Sequence, residues 1–458
     1  MATSTYLSRT GTSGNQKTFT FAGWFKIQPG VQNFCWTAGV YSSTIMSQIY
    51  FESDYKFNIN HYDSSGSQQS ALETSRLFRD TAAWYHVVVA MDTTQSVAAD
   101  RTKLYINGVQ ETVFTTESYP ALNYDTAFNT TVSQSIGRRD GSTTYYDGNM
   151  AHLHAADGLA YAPTVFGEVD STSGIWIAKT SPSVTYGTNG GFYKFASGAF
   201  GTDSSGEDNT MTVTGTMTAN KDNPDNNYAT WNPLYMPTSD FPVFTNANTT
   251  LESQDGSGDY WGSGSTLGMT TGKWYAEFKV IGSSTNKPSF GITQSPGKHA
   301  YDTNWIGNKP YDYVYLSTGE KVSNDVPTSS WGDTFTTDDI IGVAVDLDNN
   351  KIYFAKNGTW QASGDPTSGS TGTGAAYTIT SVAASDMTGD NAEGAYYFAF
   401  SDQSTGSATT SANFGNGYFG TTVVSSAGTS SSGDDSIWEY DCPTGYYGLN
   451  STNLATYG

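Results

Sequence analysis

Cysteine, positive charge and long apolar runs are all scarce in this chain. Its two cysteines, Cys35 and Cys442, lie near opposite ends of 458 residues, so no disulfide framework and no metal-ligand spacing can be read from them, and both are expected as small core or semi-exposed side chains. Lys and Arg number 21 against 43 Asp and Glu, a formal net charge of −22. Such a chain repels phosphate backbones and anionic membranes, which excludes nucleic acid as a partner. No apolar stretch approaches the roughly 18 residues of a membrane-spanning helix, so no membrane insertion is expected. No charged segment followed by an apolar one opens the chain, since Met1 to Thr5 runs directly into polar, strand-like sequence. The expectation is synthesis in a cytoplasm without a cleaved signal and release by another route, such as cell lysis. No heptad run supplies a coiled coil.

Aromatic and turn-forming residues are plentiful. Tyr 31, Phe 23 and Trp 11 supply large buried areas although the apolar fraction is only 36%, and a disordered chain lacks such aromatics. Gly 49 with few charged residues favours short strands joined by many turns. The predicted class is all-β. The length exceeds what one hydrophobic core organises, so two domains and a connector are expected.

Half-buried strands are predicted at Thr18 to Ile27, Phe57 to Tyr62 and Trp84 to Met91, each alternating in short bursts. Lys103 to Gln110 reads as a hairpin about Asn107-Gly108. Ser135 to Arg138 and Gly148 to His154 complete a first sandwich over residues 1–162. From 163 to 244 the text turns to loops and scattered apolar points such as Trp176 and Phe192, read as an ordered connector that packs on the first domain and then crosses to the second. A second series follows over 245–424: Lys273 to Val280, Ser289 to Thr293, Tyr313 to Leu316, Ile340 to Asp346, Lys351 to Lys356 and Ala395 to Ser401, with turns at Asp348 to Asn350 and Asn357-Gly358. The expected architecture is therefore two antiparallel, jelly-roll-like β-sandwiches joined by a loop-rich connector. Pro366 to Gly374 and Ser425 to Asp435 read as flexible loops, and 425–458 as a C-terminal tail. Both halves share one layout, Trp84-Tyr85 before Asn107-Gly108 and Trp274-Tyr275 before Asn357-Gly358.

Tyr6-Leu7-Ser8-Arg9-Thr10, then Lys17 to Trp24, Trp84-Tyr85-His86 and Leu104 to Gly108 resemble laminin-G/concanavalin A-like lectin modules of marine bacteriophage proteins. Asp157-Gly158-Leu159, Phe166-Gly167-Glu168 and Gly174 to Ile177 are similar to the segment that closes those modules, which extends the resemblance to about residue 235. Gly272 to Glu277, Phe290-Gly291-Ile292, Ile341 to Asp348, Ile352 to Gly358 and Asn413-Phe414-Gly415, in that order, resemble a SPRY (B30.2-like) domain. The combination implies a virion protein exposed on the particle, as capsid decoration, knob or fibre.

Concanavalin A-like folds include glycoside hydrolases, whose chemistry needs paired carboxylates on one strand face. Glu168-Val169-Asp170 is the nearest candidate, but Ser171-Thr172-Ser173 follows it. The third carboxylate that laminarinase-like enzymes place there is missing, and the segment reads as loop. His152 and His154 have the spacing of a metal pair without a Cys or carboxylate beside them, so hydrogen-bonded histidines are the simpler reading. No nucleophile elbow surrounds any Ser or Cys.

Oxygen-rich stretches at Asp222 to Asn227 and Asp346 to Asn350 make Asp222, Asp225, Asp346 and Asp348 candidate Ca²⁺ ligands; Asp and Asn also dominate turns for conformational reasons alone. No other cofactor is expected. Tyr145, Tyr146 and Asp147 could present an aromatic and carboxylate face to a glycan. Tyr301, Trp305, Tyr311 and Tyr313 lie where SPRY-like domains bind partners, the alternative in each case being packing under loops. The functional expectation is a non-enzymatic virion structural protein, assembled in the host cytoplasm. Other virion proteins and a host-surface glycan or protein are its expected partners, and a small homo-oligomer such as a trimer its expected state. A glycan-degrading enzyme and a ligand-free decoration protein are the alternatives.

Overall fold

The structure, a computed structural model, describes residues 4–28, 30–41, 43–235, 242–253, 262–283, 287–297, 299, 305–384, 394–403 and 406–458. It divides into two compact units, Met1–Ala219 with Asn223–Asp225, and Asn220–Asp222 with Asn226–Gly458. Each is an antiparallel β-sandwich, so the all-β expectation holds in both halves.

The first unit has strands β1 (Tyr6–Thr10), β2 (Thr18–Ile27), β3 (Asn33–Ala38), β4 (Met46–Phe51), β5 (Phe57–Tyr62), β6 (Gln68–Thr74), β7 (Tyr85–Asp92) and β8 (Thr102–Ile106). It continues with β9 (Val109–Glu111), β10 (Phe114–Ser118), β11 (Ser133–Ile136), β12 (Gly148–Asp157), β13 (Gly167–Val169), β14 (Trp176–Ala178), β15 (Gly191–Tyr193) and β16 (Thr212–Thr214). Eight strands form one sheet in the order β10-β6-β5-β4-β3-β11-β1-β16, and six form the other in the order β15-β12-β2-β7-β8-β9. Alternation along β2 turns Phe19, Phe21 and Phe25 toward Trp36, Ile49, Phe51 and Ile59 of the larger sheet. The other side of β2 and β7 is apolar too: Ala22 and Val88 pack under Phe166, and Trp24 packs with Trp84 and Ala178. Residues 159–195 supply that second cover, and this explains why they belong to the first unit.

In the second unit the larger sheet contains Lys273–Ser283 flanked by Ala408–Asn413 and Ile340–Asp346, and the smaller contains Pro288–Thr293 flanked by Tyr313–Leu316 and Tyr397–Asp402. Trp274, Phe278, Phe290, Phe398 and Phe414 fill the space between. Two boundaries and one loop differ from expectation. Residues 226–244 belong to the second unit, where Trp231 and Phe244 enter its core, because a strand at Val243–Thr245 extends the larger sheet. The segment 425–458 is no tail: Trp438, Cys442 and Tyr446 bury against Tyr275, Ala344 and Tyr353 on the outer side of the sheet, and Tyr447–Gly448 pairs in parallel with Trp274 and Tyr275. The stretch from Pro366 is a 3₁₀ segment capped by Asp365, whose carboxylate accepts from Thr367 N, and Tyr446 Oη donates to Pro366 O at 2.9 Å.

Glu277 fastens the C-terminal cover. Its fully buried carboxylate accepts from Glu439 N at 2.8 Å, Tyr440 N at 2.9 Å, Asn413 Nδ2 at 3.2 Å and Tyr275 Oη at 3.2 Å. Burial nevertheless pushes this acid up to about 7. In the first unit burial pushes His61, His86 and His154 down to about 3.

These shifts have opposite consequences. Unfolded histidines take up protons below an ordinary value of 6.5 while the folded ones stay neutral, so the first unit loses stability as pH falls from 6.5 toward 3. Unfolded Glu277 releases its proton near 4.5 while the folded one keeps it to about 7, so the second unit loses stability as pH rises across that interval. Calorimetry between pH 5 and 6.5 should resolve two transitions moving in opposite directions, with Glu277→Gln flattening the one that falls with pH; parallel movement of both would refute the assignment. Deleting residues 425–458 removes several large side chains, each worth about 1.5–3 kcal/mol when fully buried. The second unit is expected to lose its cooperative transition in that variant, and an unchanged transition would show that the segment is dispensable.

Candidate binding face

The register of the eight-stranded sheet sorts its side chains into two faces. Trp36, Ile49, Ile59 and Leu72 pair across β3, β4, β5 and β6 in a row that points into the core. The rows on either side of it point away. One runs Phe34, Tyr50, Asn58, Glu73; the other runs Ser135, Thr37, Gln48, Asn60, Ala71. A third row pairs Met46 with Tyr62 and continues to Gln68. The face opposite the core is thus aromatic and amide-bearing, with Glu73 as the charged residue in these rows.

Aromatic stacking orders this face. Phe34 and Tyr50 stack with centroids 4.7 Å apart at 20°, and Tyr41 meets Tyr62 edge-on at 5.5 Å. Asn60 Nδ2 donates to Tyr50 Oη at 3.1 Å. Burial raises both Tyr50 and Tyr62, so both phenols stay neutral. The loop after β11 closes one end: Arg138 lies 3.7 Å over the Tyr6 ring, pairs with Asp140, and bridges backbone to Tyr145, whose ring stacks on Tyr6. Arg139 lies over Tyr41.

Several polar atoms here are unsatisfied. Among the described residues, Asn58 Nδ2, Asn60 Oδ1, Arg138 Nε and Asp140 Oδ2 are buried and take no hydrogen bond within the protein. An unmet buried polar group costs about 1–3 kcal/mol, so each of these atoms calls for a partner such as a bound water, an ion or a ligand. Amides over and beside aromatic rings offer both donors and acceptors to hydroxyls and a flat apolar surface to the C–H face of a sugar ring.

The residues expected from sequence fall in different places. Tyr145 joins this face through Tyr6, but Tyr146 turns inward, packing near Phe25 and donating to Lys26 O and Asn149 O, while Asp147 N donates to Asn33 Oδ1. Trp305 and Tyr313 are buried in the second unit, Trp305 beside Leu316 and Val322, and Tyr313 against Tyr396; Tyr311 is half-buried against the same core. Tyr301 lies outside the described residues. Asp346 is occupied by Lys273 Nζ at 3.1 Å and by Asn349 N and Nδ2, and Asp348 accepts from Gly272 N. Asp222 is buried and accepts from Tyr228 N, whereas Asp225 is exposed and belongs to the other unit. These carboxylates serve turns and strand ends, and no group of three His, Cys, Asp or Glu side chains is gathered among the described residues.

The histidine pair is split. A bulge in β12 after Ala151 gives His152 a φ of 48°, which breaks the period-two spacing, and His154 Nδ1 pairs with Tyr186 Oη at 2.9 Å while its ring stacks 4.0 Å from Phe192. Glu168 stands on strand β13, not in a loop, and is exposed; Asp170 Oδ1 is taken by Thr172 N, Ser173 N and Ser173 Oγ. The two carboxylates therefore do not form the facing pair that glycoside hydrolysis requires.

Comparison with known proteins places domains on both halves. Residues 2–159 match the concanavalin A-like lectin/glucanases superfamily (Laminin_G_3), and residues 273–388 match the SPRY domain. The chain therefore combines a laminin G-like, concanavalin A-like domain with a SPRY domain. No curated protein matches it. Similar solved structures include the SPRY domain of human HERC1, 16% identical over 40% of this chain and 96% of that one, with a TM-score of 0.29. A human SPRY domain is 14% identical over 37% and 93%, with a TM-score of 0.27. The native heptameric SAP-like pentraxin of Limulus polyphemus is 15% identical over 35% and 73%, with a TM-score of 0.27. At these scores the structural likenesses add nothing to the two domain matches.

Proposed function

We propose that this protein is a non-catalytic binding protein whose concanavalin A-like domain recognises a neutral glycan on the outer face of its eight-stranded sheet, and that it is displayed on a phage particle. The observation that carries the glycan reading is the pairing of the Phe34–Tyr50 stack with the Gln48–Asn60 row, where amide atoms without protein partners adjoin aromatic rings. Display on a particle rests on the resemblance of the two-domain arrangement to phage virion proteins. A particle carries many copies, and a small homo-oligomer such as a trimer would convert weak single contacts into useful avidity. The absence of catalysis is supported by Glu168 and Asp170, which occupy a hairpin surface and a turn.

Glycan-array binding tests the reading directly. One hydrogen bond is worth about 0.5–1.5 kcal/mol net, so the double variant Gln48→Ala with Asn60→Ala should weaken binding about tenfold or more at a temperature where calorimetry shows both proteins folded, although loss of these buried side chains and of the Asn60–Tyr50 hydrogen bond lowers its unfolding transition. Binding equal to the parent would move the site elsewhere, and release of reducing sugar would replace the reading with a glycan-degrading enzyme. Immunogold labelling with antibodies to residues 1–160 and 245–420 tests display. Labelled particles are expected, and bare ones would remove the virion assignment without touching the glycan site.

A further inference from the structure

The opposite sheet of the first unit carries a cleft that the proposed glycan face does not use. Trp24 on β2, Trp84 before β7 and Trp176 on β14 line a cavity of about 380 Å³ together with Val109, Val169, Ile175 and the Asn107 side chain. Its walls are fixed in place. Trp176 Nε1 donates to His86 Nδ1 at 3.0 Å, and the His86 ring lies between Trp24 at 4.8 Å and Trp176 at 5.9 Å. That imidazole is neutral, since burial pushes it down to about 3. Trp176 also rests on two glycines: a Cβ on Gly108 would stand 2.5 Å from its ring, and one on Gly167 would stand 2.6 Å away. Val109 and Ile175, 65% and 63% exposed, stand at the mouth, where aliphatic side chains gain nothing from water.

We infer that this cleft is a binding site for a small, uncharged, apolar molecule bearing an aromatic ring. The volume lies near the lower end of ligand pockets, which run from roughly 300 to 1,000 Å³, and suits one ring system. Half-buried Trp176, with the nearly buried Trp24 and Trp84, gives the cleft an aromatic lining. No lining residue is charged, so an ion would lose its hydration without compensation. Asn107 offers an amide at the rim, but its Oδ1 already accepts from His86 N at 2.8 Å. A polyol would therefore bury hydroxyls with little to meet them, at about 1–3 kcal/mol each, which separates this site in chemistry from the amide-rich face across the sandwich.

The test uses the full chain with indole as probe, followed by saturation-transfer NMR and tryptophan fluorescence, with tryptamine and methyl glucoside as the charged and polyhydroxylated comparisons. Saturable binding of indole at one site per chain is expected, with tryptamine and methyl glucoside at least tenfold weaker. Val109→Asp and Ile175→Asp place charge at the mouth without touching the core, and each should reduce indole binding at least tenfold while the thermal transition stays unchanged. Lack of saturable indole binding, undiminished binding in both variants, or a preference for methyl glucoside would each overturn the inference. Loss of glycan binding in the Gln48 and Asn60 variants would leave it intact, because those side chains belong to the other sheet.

Discussion

A sheet that is apolar on both faces needs two covers, and each sandwich in this chain has one. In the first unit β2 and β7 turn phenylalanines and valines inward, yet Ala22, Trp24 and Val88 on their other side are equally buried. In the second, Trp274 and Phe278 point inward while Tyr275 and Glu277 are buried outward. The sandwich partner covers one face in each case. The second cover comes from chain that follows in sequence, residues 159–195 in the first unit and 425–449 in the second. Hydrophobic burial drives the docking, and polar fasteners at defined points fix its register.

The fastening device is the same in both units. Asn107 donates its N–H to His86 O at 2.9 Å and accepts from His86 N at 2.8 Å through Oδ1; Asn357 does the same with Ile340, at 2.8 Å each way. Each asparagine sits at positive φ, 48° and 47°, and is followed by a glycine at 79° and 76°, the geometry of a two-residue hairpin turn that closes without splaying its strands. The absent glycine side chain then leaves a seat for an aromatic from the covering segment: Trp176 over Gly108, Tyr440 over Gly358. One dipeptide thus ends a hairpin, ties it to a neighbouring strand and receives the second cover. The Asn-Gly layout that repeats along the sequence marks this shared mechanical role.

That division explains what the sequence discloses and what it conceals. Strands such as Thr18–Ile27 and Ile340–Asp346 are legible because bulky apolar residues recur along them. Asn33–Ala38 and Met46–Phe51 are not, because aromatic residues stand on both faces and polar ones among them: Trp36 and Ile49 face the core while Phe34, Gln48 and Tyr50 face the other way. The outward aromatics that erase the alternation are the ones that make the candidate face. Asn58 and Asn60 lie in a strand that is readable, but as alternating polar positions they look like solvated surface, and only the register with Tyr50 and Gln48 shows them as parts of one patch. Tyr145 and Tyr146 look equivalent in sequence, and strand-like alternation sends one to the patch and the other to the core. The segment read as a tail is a cover, and the loop-rich connector packs on the first unit up to residue 219, for a related reason: their apolar residues are spaced to fit another element's surface instead of a period of their own.

Charge adds a last constraint on the proposed binding faces. At a net charge of −22 the long-range field opposes anionic ligands and acidic surfaces. Local cations offset little of that field: on the eight-stranded sheet Arg138 is paired with Asp140 and Lys56 with Glu73, which leaves Arg139, lying over Tyr41, as a local positive charge beside Tyr50 and Tyr62, and the tryptophan cleft has no charged lining among the described residues. Attraction at either face must then come from short-range contact, stacking and hydrogen bonds to neutral groups, which salt screens little. A neutral sugar and a neutral aromatic ring are the ligands least disfavoured by the field, and they separate from one another by hydroxyl content, since amides with unused capacity line one face and indoles the other.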